Sequence, residues 1–171
     1  VPTVKAAAVS WAGASTGTWE TASNWSGGSV PSSSDDVTIS PTSTNIAVTL
    51  SSGQTANFST LTMGGDATYG VTTTLIGNIG TGGSITIQGR STTTIQNATA
   101  QTISGTLTIQ AGGALVHADN STAASNIINI SVGALDLQSG GRIDLDQLGY
   151  DGGTGGTTGS DAEEFEVTDY S

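Results

Sequence analysis

The 171-residue chain contains no cysteine, only three Lys and Arg against 14 Asp and Glu, and aromatic residues at 5% of its positions. Each shortage removes a class of protein. Without cysteine there is no disulfide, no thiolate metal site and no redox motif, and the redox compartment is left open. Lys5, Arg90 and Arg142 are the only fixed cations in a chain of net charge −11. Neutralising a phosphate backbone takes more than these, so nucleic acid is not an expected partner, and anionic membrane surfaces are disfavoured on the same ground. No apolar run reaches the ~18 residues of a membrane span, so membrane insertion is not expected. A basic, apolar leader is also missing, and Val1 in place of Met is read as the start of an exported mature chain, secreted or held at the cell surface. Five Asn-x-Ser/Thr sequons, at Asn24, Asn57, Asn97, Asn120 and Asn129, fit export, although a chain this rich in Ser and Thr produces some by chance.

What the chain does have is 25 glycines, abundant Ser, Thr and Asn, and 33 Ile, Leu, Val and Met residues set in short alternating runs. Val, Ile and Thr suit a pleated, half-buried surface, so the composition reads all-β, and the alternation argues against a disordered linker. The length suits one domain.

A repeat organises that domain. The segments Val37-Thr38-Ile39, Leu61-Thr62-Met63, Ile85-Thr86-Ile87, Leu107-Thr108-Ile109 and Ile128-Asn129-Ile130 align with spacings of 24, 24, 22 and 21 residues. Every segment is apolar, polar, apolar, which sends two side chains to one face and the middle one to the other. A unit this short cannot be a domain but fits one coil of a parallel β-helix, each coil burying its apolar residues against the next. A second strand per coil is expected around Val48 and Leu50, Leu75, Ile95, Leu115, and Leu135 with Leu137. A third, weaker column is expected at Phe58, Ile79, Ile103, Ala124, and Ile143 with Leu145. Turns are placed at Gly64-Gly65, Gly82-Gly83, Gly112-Gly113, Gly140-Gly141, Asn97 and Asn120. The expected fold is an all-β, right-handed parallel β-helix (β-solenoid) of about five coils, the hand following the usual preference of parallel crossovers.

A solenoid leaves backbone and core unpaired at both ends, so its ends need caps or partners. Trp11, Trp19 and Trp25 all precede the first repeat strand, and residues 1–36 read as an N-terminal cap, followed by a solenoid over 37–148. Residues 149–160 are a Gly/Thr-rich linker, and 161–171 an acidic tail in which Phe165 and Val167 alternate with Glu164, Glu166 and Thr168. That tail, with Tyr170, is a candidate subunit contact by strand addition, and Val1–Val9 a candidate from the other end. Head-to-tail contacts that do not close would build a homopolymer.

The run Gly17-Thr18-Trp19, then Trp25, Gly27-Gly28-Ser29-Val30-Pro31 and Asp35-Asp36-Val37-Thr38-Ile39 resembles the opening of many microbial secreted β-solenoid surface proteins and large adhesins. The later run Gly141-Arg142-Ile143-Asp144-Leu145, with Leu148-Gly149-Tyr150 and Gly152-Gly153, is similar to a glycine-rich stretch of the same class. The resemblance implies an extracellular rod and nothing catalytic. Such rods usually run on for many more coils, which favours a subunit or a fragment here.

Chemistry-bearing patterns are sparse. Gly13-Ala14-Ser15-Thr16-Gly17 matches a nucleophile-elbow spacing, but no helix pattern follows it and the only histidine, His117, is read as a solvent-facing strand residue. Asp144, Asp146 and Asp151 are candidate oxygen ligands, which would make Ca²⁺ the cofactor if there is one. Polysaccharide-lyase chemistry would need basic groups near such acids, and few exist. Thr38, Thr62, Thr86 and Thr108 form an outer ladder, flanked by Asp36, Thr60, Ser84 and Thr106, similar to the ice-binding faces of some β-solenoid antifreeze proteins. The function expected is structural, as a filament subunit or surface stalk; binding of surface glycans by an exposed face is the alternative. No enzyme activity is expected.

Overall fold

The structure is a computed structural model that describes residues 6–65, 68–80, 83–120, 123, 125–146 and 148–149. The tail residues Phe165, Val167 and Tyr170, Asp151 and Ala124 lie outside the described residues.

Along the chain the strands are β1 (Ala8–Ser10), β2 (Thr16–Thr18), β3 (Asp36–Ile39), β4 (Ile46–Leu50), β5 (Thr55–Ala56), β6 (Thr60–Met63) and β7 (Val71–Leu75). They continue as β8 (Asn78–Ile79), β9 (Ser84–Ile87), β10 (Ser91–Ile95), β11 (Gln101–Ile109), β12 (Ala114–His117), β13 (Ile130–Leu137) and β14 (Arg142–Asp144). Apolar residues at alternate positions cannot be buried by one strand alone, so successive coils stack them. The first sheet runs β1-β3-β6-β9-β11-β13, the second β14-β12-β10-β7-β4-β2, and β5 pairs with β8 in a short third column. Every strand pair is parallel, which is the β-solenoid expected from the repeat.

The register lines up like with like. Val9, Val37, Leu61, Ile85, Leu107 and Leu135 form one inward column, and Ile39, Met63, Ile87, Ile109 and Leu137 the next. On the second sheet the inward stack Val48, Thr73, Thr93, Leu115 and Ile143 contains two threonines. Their buried hydroxyls point at the Met63 sulfur, 3.0 Å from Thr73 and 3.6 Å from Thr93, which gives each a weak acceptor inside the core.

Three expectations are corrected by this register. In the last coil the partner of Leu107-Thr108-Ile109 is Leu135-Asp136-Leu137, not Ile128-Asn129-Ile130; Ile130 and Val132 instead stack on Gln101 and Ile103. Leu135 and Leu137 therefore leave the second column, and Ile143 leaves the third to stack on Leu115. The reason lies in the corner. Ile87, Ile109 and Leu137 each stand three residues before a left-handed residue, Arg90 (φ 59°), Gly112 (φ 78°) and Gly140 (φ 84°), and these stack through Arg90 N–H to Gly112 C=O and Gly112 N–H to Gly140 C=O. Only that register superposes the corners; the surplus length is absorbed ahead of β13. There the Asn120 side chain donates to Asn126 C=O at 2.7 Å and accepts from the N–H groups of Ser125 and Asn126. Finally, His117 pairs with Ile95 on the inward side of β12 and is half-buried, so it is not a solvent-facing strand residue.

The segment before residue 37 holds more than a cap. β1 and β2 add a full first rung to the two sheets, and only the chain between them and β3 closes the end.

Candidate functional site

The two ends of the rod are built differently. At the N-terminal end Trp19 and Trp25 are buried, with ring centroids 4.7 Å apart at 66°, while Trp11 meets Trp25 edge-on at 5.2 Å and Trp19 meets Phe58 at 6.1 Å. A short 3₁₀ turn, Ala22–Asn24, folds the chain back so that Trp25 Nε1 donates to Trp19 C=O at 2.7 Å. Gly17 is small for a reason: a Cβ there would come within 3.0 Å of the Trp11 ring.

The same turn seals the sheet edge. Ser10 lies on β1 with its N–H and C=O directed away from β3, and both are taken by Ser26, through Oγ at 2.9 Å and N–H at 2.8 Å. Ala12 N–H donates to Asn24 C=O at 2.8 Å, and the Asn24 side chain donates to Thr18 C=O at the edge of β2. Backbone groups taken up in this way are not left to pair with another chain. Composition and Trp spacing pointed to this end, but the Asn24 to Ser26 seal has no sequence signal beyond the sequon that Asn24 happens to head.

At the C-terminal end the columns stop, among the described residues, without a further strand over them. Leu135, Leu137, Ile143 and Leu145 are 51, 48, 39 and 44% exposed, whereas Leu107, Ile109 and Leu115, one rung below in the same columns, are 4, 0 and 2% exposed. Among the described residues nothing pairs with the outer edges of β13 and β14. The alternation of Leu135-Asp136-Leu137 would have revealed this rung in the sequence, had the Gly112 and Gly140 corners been used to set the register.

Compared with known proteins, the chain matches no family model, no curated protein and no solved structure.

The remaining candidates are placed as follows. Thr38, Thr62, Thr86 and Thr108 do form one outward row on the first sheet, but Asp136 ends it and the neighbouring row is interrupted. There the Thr60 hydroxyl is spent on Asp36 at 2.8 Å, and Ser84 Oγ accepts Thr106 N–H at 3.0 Å. The second sheet carries a two-row array that the sequence reading missed. Thr18, Thr49, Thr74 and Thr94 stack in one row, and Thr16, Ala47, Thr72 and Thr92 in the next, with no charged residue among them. Asp144 and Asp146 do not form a cation cage: Asp144 pairs with Arg142 at 3.1 Å and accepts Asp146 N–H, and among the described residues no three His, Cys, Asp or Glu side chains converge. Ser15 lies beside β2 and His117 on β12, four strand spacings apart in the sheet, on the order of 19 Å. That separation rules out a Ser–His pair.

Among the described residues two carboxylates have altered acidity, both near the N-terminal end. Burial opposes ionisation of Glu20, but hydrogen bonds from Ser51, from backbone N–H groups and from Thr18 together outweigh it and hold the carboxyl below its ordinary value. Asp35 is held low by the Ser32 N–H at 2.7 Å and the Ser32 hydroxyl at 2.8 Å, a turn that fixes the approach to β3. Of the sequons, Asn24, Asn97 and Asn120 already use their side-chain amide as a donor within the fold, leaving Asn57 and Asn129 as the exposed ones. No helix among the described residues is long and apolar enough to cross a membrane.

Proposed function

We propose that the chain is an extracellular structural protein, a β-solenoid rod of the surface-stalk kind. The observation that carries this reading is the sealed N-terminal edge. Asn24, Trp25 and Ser26 occupy the outer face of the first rung, so a second rod cannot pair there without displacing them. Head-to-tail growth needs two free ends, and a rod with a blocked first edge suits a stalk better than a filament subunit. The outer faces support the same role, since they present small hydroxyl side chains on regular strands and little charge.

The absence of native cysteine makes a direct test simple. Ser29→Cys, in the exposed loop of the cap, is made in the full chain and intact producing cells are treated with a membrane-impermeant maleimide. Labelling without cell lysis is expected; labelling only after lysis contradicts the extracellular placement.

A second reading, ice binding, is favoured by the threonine array on the second sheet. Its rows repeat at about 4.8 Å between strands and roughly 6.6 Å along them, a two-dimensional lattice of hydroxyl and methyl groups. Thermal hysteresis that is lost in Thr74→Tyr but kept in Thr86→Tyr would support it; a full chain without hysteresis or ice shaping at high concentration removes it.

A further inference from the structure

We infer that the cleft beside Trp11, between the β1–β2 and β3–β4 connections, is a binding site for a neutral sugar ring. The inference goes beyond the stalk reading and does not depend on where the rod resides.

Trp11 differs from the other two tryptophans. Trp19 and Trp25 are fully buried, while Trp11 is only part-buried and forms one wall of a cavity of about 270 Å³. Its indole is fixed in place: Nε1 donates to Ala14 C=O at 3.0 Å, the ring meets Trp25 edge-on, and a Cβ on Gly13 would lie 2.9 Å from it. Ala12 and Gly13 both donate their N–H groups to Asn24 C=O, which ties this connection to the cap. A wall set before the ligand arrives costs little ordering on binding.

The opposite wall is a corner unlike the later ones. After β9, β11 and β13 the chain turns in residues 88–90, 110–113 and 138–141, each turn with a left-handed residue. Between β3 and β4 it takes residues 40–45, with no glycine and no left-handed residue, and buried Pro41 anchors the turn. This longer corner brings Ser40, Thr42, Ser43 and Thr44 to the cavity, and Ser15 joins them from the β1–β2 side. Among the described residues none of these five hydroxyls has a hydrogen-bond partner.

The lining selects the ligand. No charged side chain is among the described residues around the cavity, so an ion would lose its water without gaining a counter-charge. An apolar ligand would strip water from the five hydroxyls and leave them unpaired. A neutral sugar suits both halves of the lining. Its hydroxyls donate and accept as those of Ser and Thr do, and its C–H groups pack on Trp11 and on Ile46, which lines the same cavity. The volume lies just below the ~300 Å³ at which pockets for drug-sized ligands begin, room for one ring.

Nuclear magnetic resonance of the nitrogen-labelled full chain tests the site. The protein is titrated separately with the methyl glycosides of glucose, galactose, mannose and N-acetylglucosamine, with glucuronate, and with the peptide Gly-Ser-Gly-Ser. At least one neutral glycoside is expected to saturate with a dissociation constant on the order of millimolar, as befits a single ring. Its amide shifts should centre on residues 11–15 and 40–46, and glucuronate and the peptide should bind at least about ten-fold more weakly. Thr42→Val with Thr44→Val removes two hydroxyls from an exposed turn and should weaken that binding about ten-fold, with far-UV circular dichroism unchanged. Thr62→Val with Thr86→Val, on the first sheet, should leave it as it was. The inference is overturned if no neutral glycoside saturates, if the shifts centre elsewhere, if the Thr42 and Thr44 variant binds like the parent, or if glucuronate or the peptide binds as tightly.

Discussion

Replacing Ile87 by Ala probes the stacked core where it is deepest. Ile87 is 0% exposed and lies between Met63 and Ile109 in an inward column. The substitution removes three carbons, worth about 2.4 kcal/mol at ~0.8 kcal/mol each. The unfilled space raises the expected loss to about 3–4 kcal/mol, inside the ~2–5 kcal/mol typical of such truncations. With a urea dependence of about 2 kcal/mol per molar, the midpoint falls by roughly 1.5–2 M. A solenoid transmits stability from neighbour to neighbour, so weakening a middle rung also loosens the coupling between the two halves. All three tryptophans sit at the N-terminal end, whereas far-UV circular dichroism reports every strand. The two signals are therefore expected to separate in Ile87→Ala and to lie closer together in the parent chain. Thr86→Ala, one residue away and outward, should change stability by less than about 0.5 kcal/mol. A loss below about 1 kcal/mol for Ile87→Ala, or an equal loss for Thr86→Ala, would refute the inward and outward assignment of the whole column.

Other substitutions test the corners and the seal. Trp25→Phe leaves the Trp19 carbonyl without its 2.7 Å donor and should cost about 1–3 kcal/mol beyond the lost ring area. Trp19→Phe removes an indole N–H that is buried without a partner, and should be the milder of the two in denaturant titrations. Arg90 occupies a left-handed corner position that glycine fills one and two rungs away, so Arg90→Gly should raise the melting temperature, by up to about 1 kcal/mol in stability, and Gly112→Ala should lower it. Glu20 and Asp35 are held below their ordinary acidities in the folded state, so the stability they add is present above the ordinary carboxylate range and is lost as pH falls through their lower folded values. Glu20→Gln with Asp35→Asn should flatten the fall of melting temperature in acid; parallel curves for the two proteins would show that neither contributes.

The solenoid was legible because its signal is local and repeated: Val37, Leu61, Ile85 and Leu107 carry inward residues at nearly constant spacing, and the structure pairs them. The last coil was not, because Ile128-Asn129-Ile130 offers the same alternation seven residues before Leu135-Asp136-Leu137, and alternation alone cannot choose between two such triplets. Corner geometry chooses, through the left-handed stack of Arg90, Gly112 and Gly140. The burial of Trp19 and Trp25 suits their expected place at one end, but the edge seal depends on backbone groups of Ser10, Asn24 and Ser26, and residue type alone says little about those. The second-sheet threonine rows were hidden for a related reason. Thr72-Thr73-Thr74 and Thr92-Thr93-Thr94 carry no apolar alternation, and only pairing shows that their middle residues turn inward.

Sedimentation of the full chain from micromolar to millimolar concentration tests most directly whether the N-terminal edge of the rod is sealed against growth. Species no larger than a dimer of the 16.9 kDa chain at every concentration are the predicted result. Species that grow without limit would contradict the sealed N-terminal edge and with it the stalk.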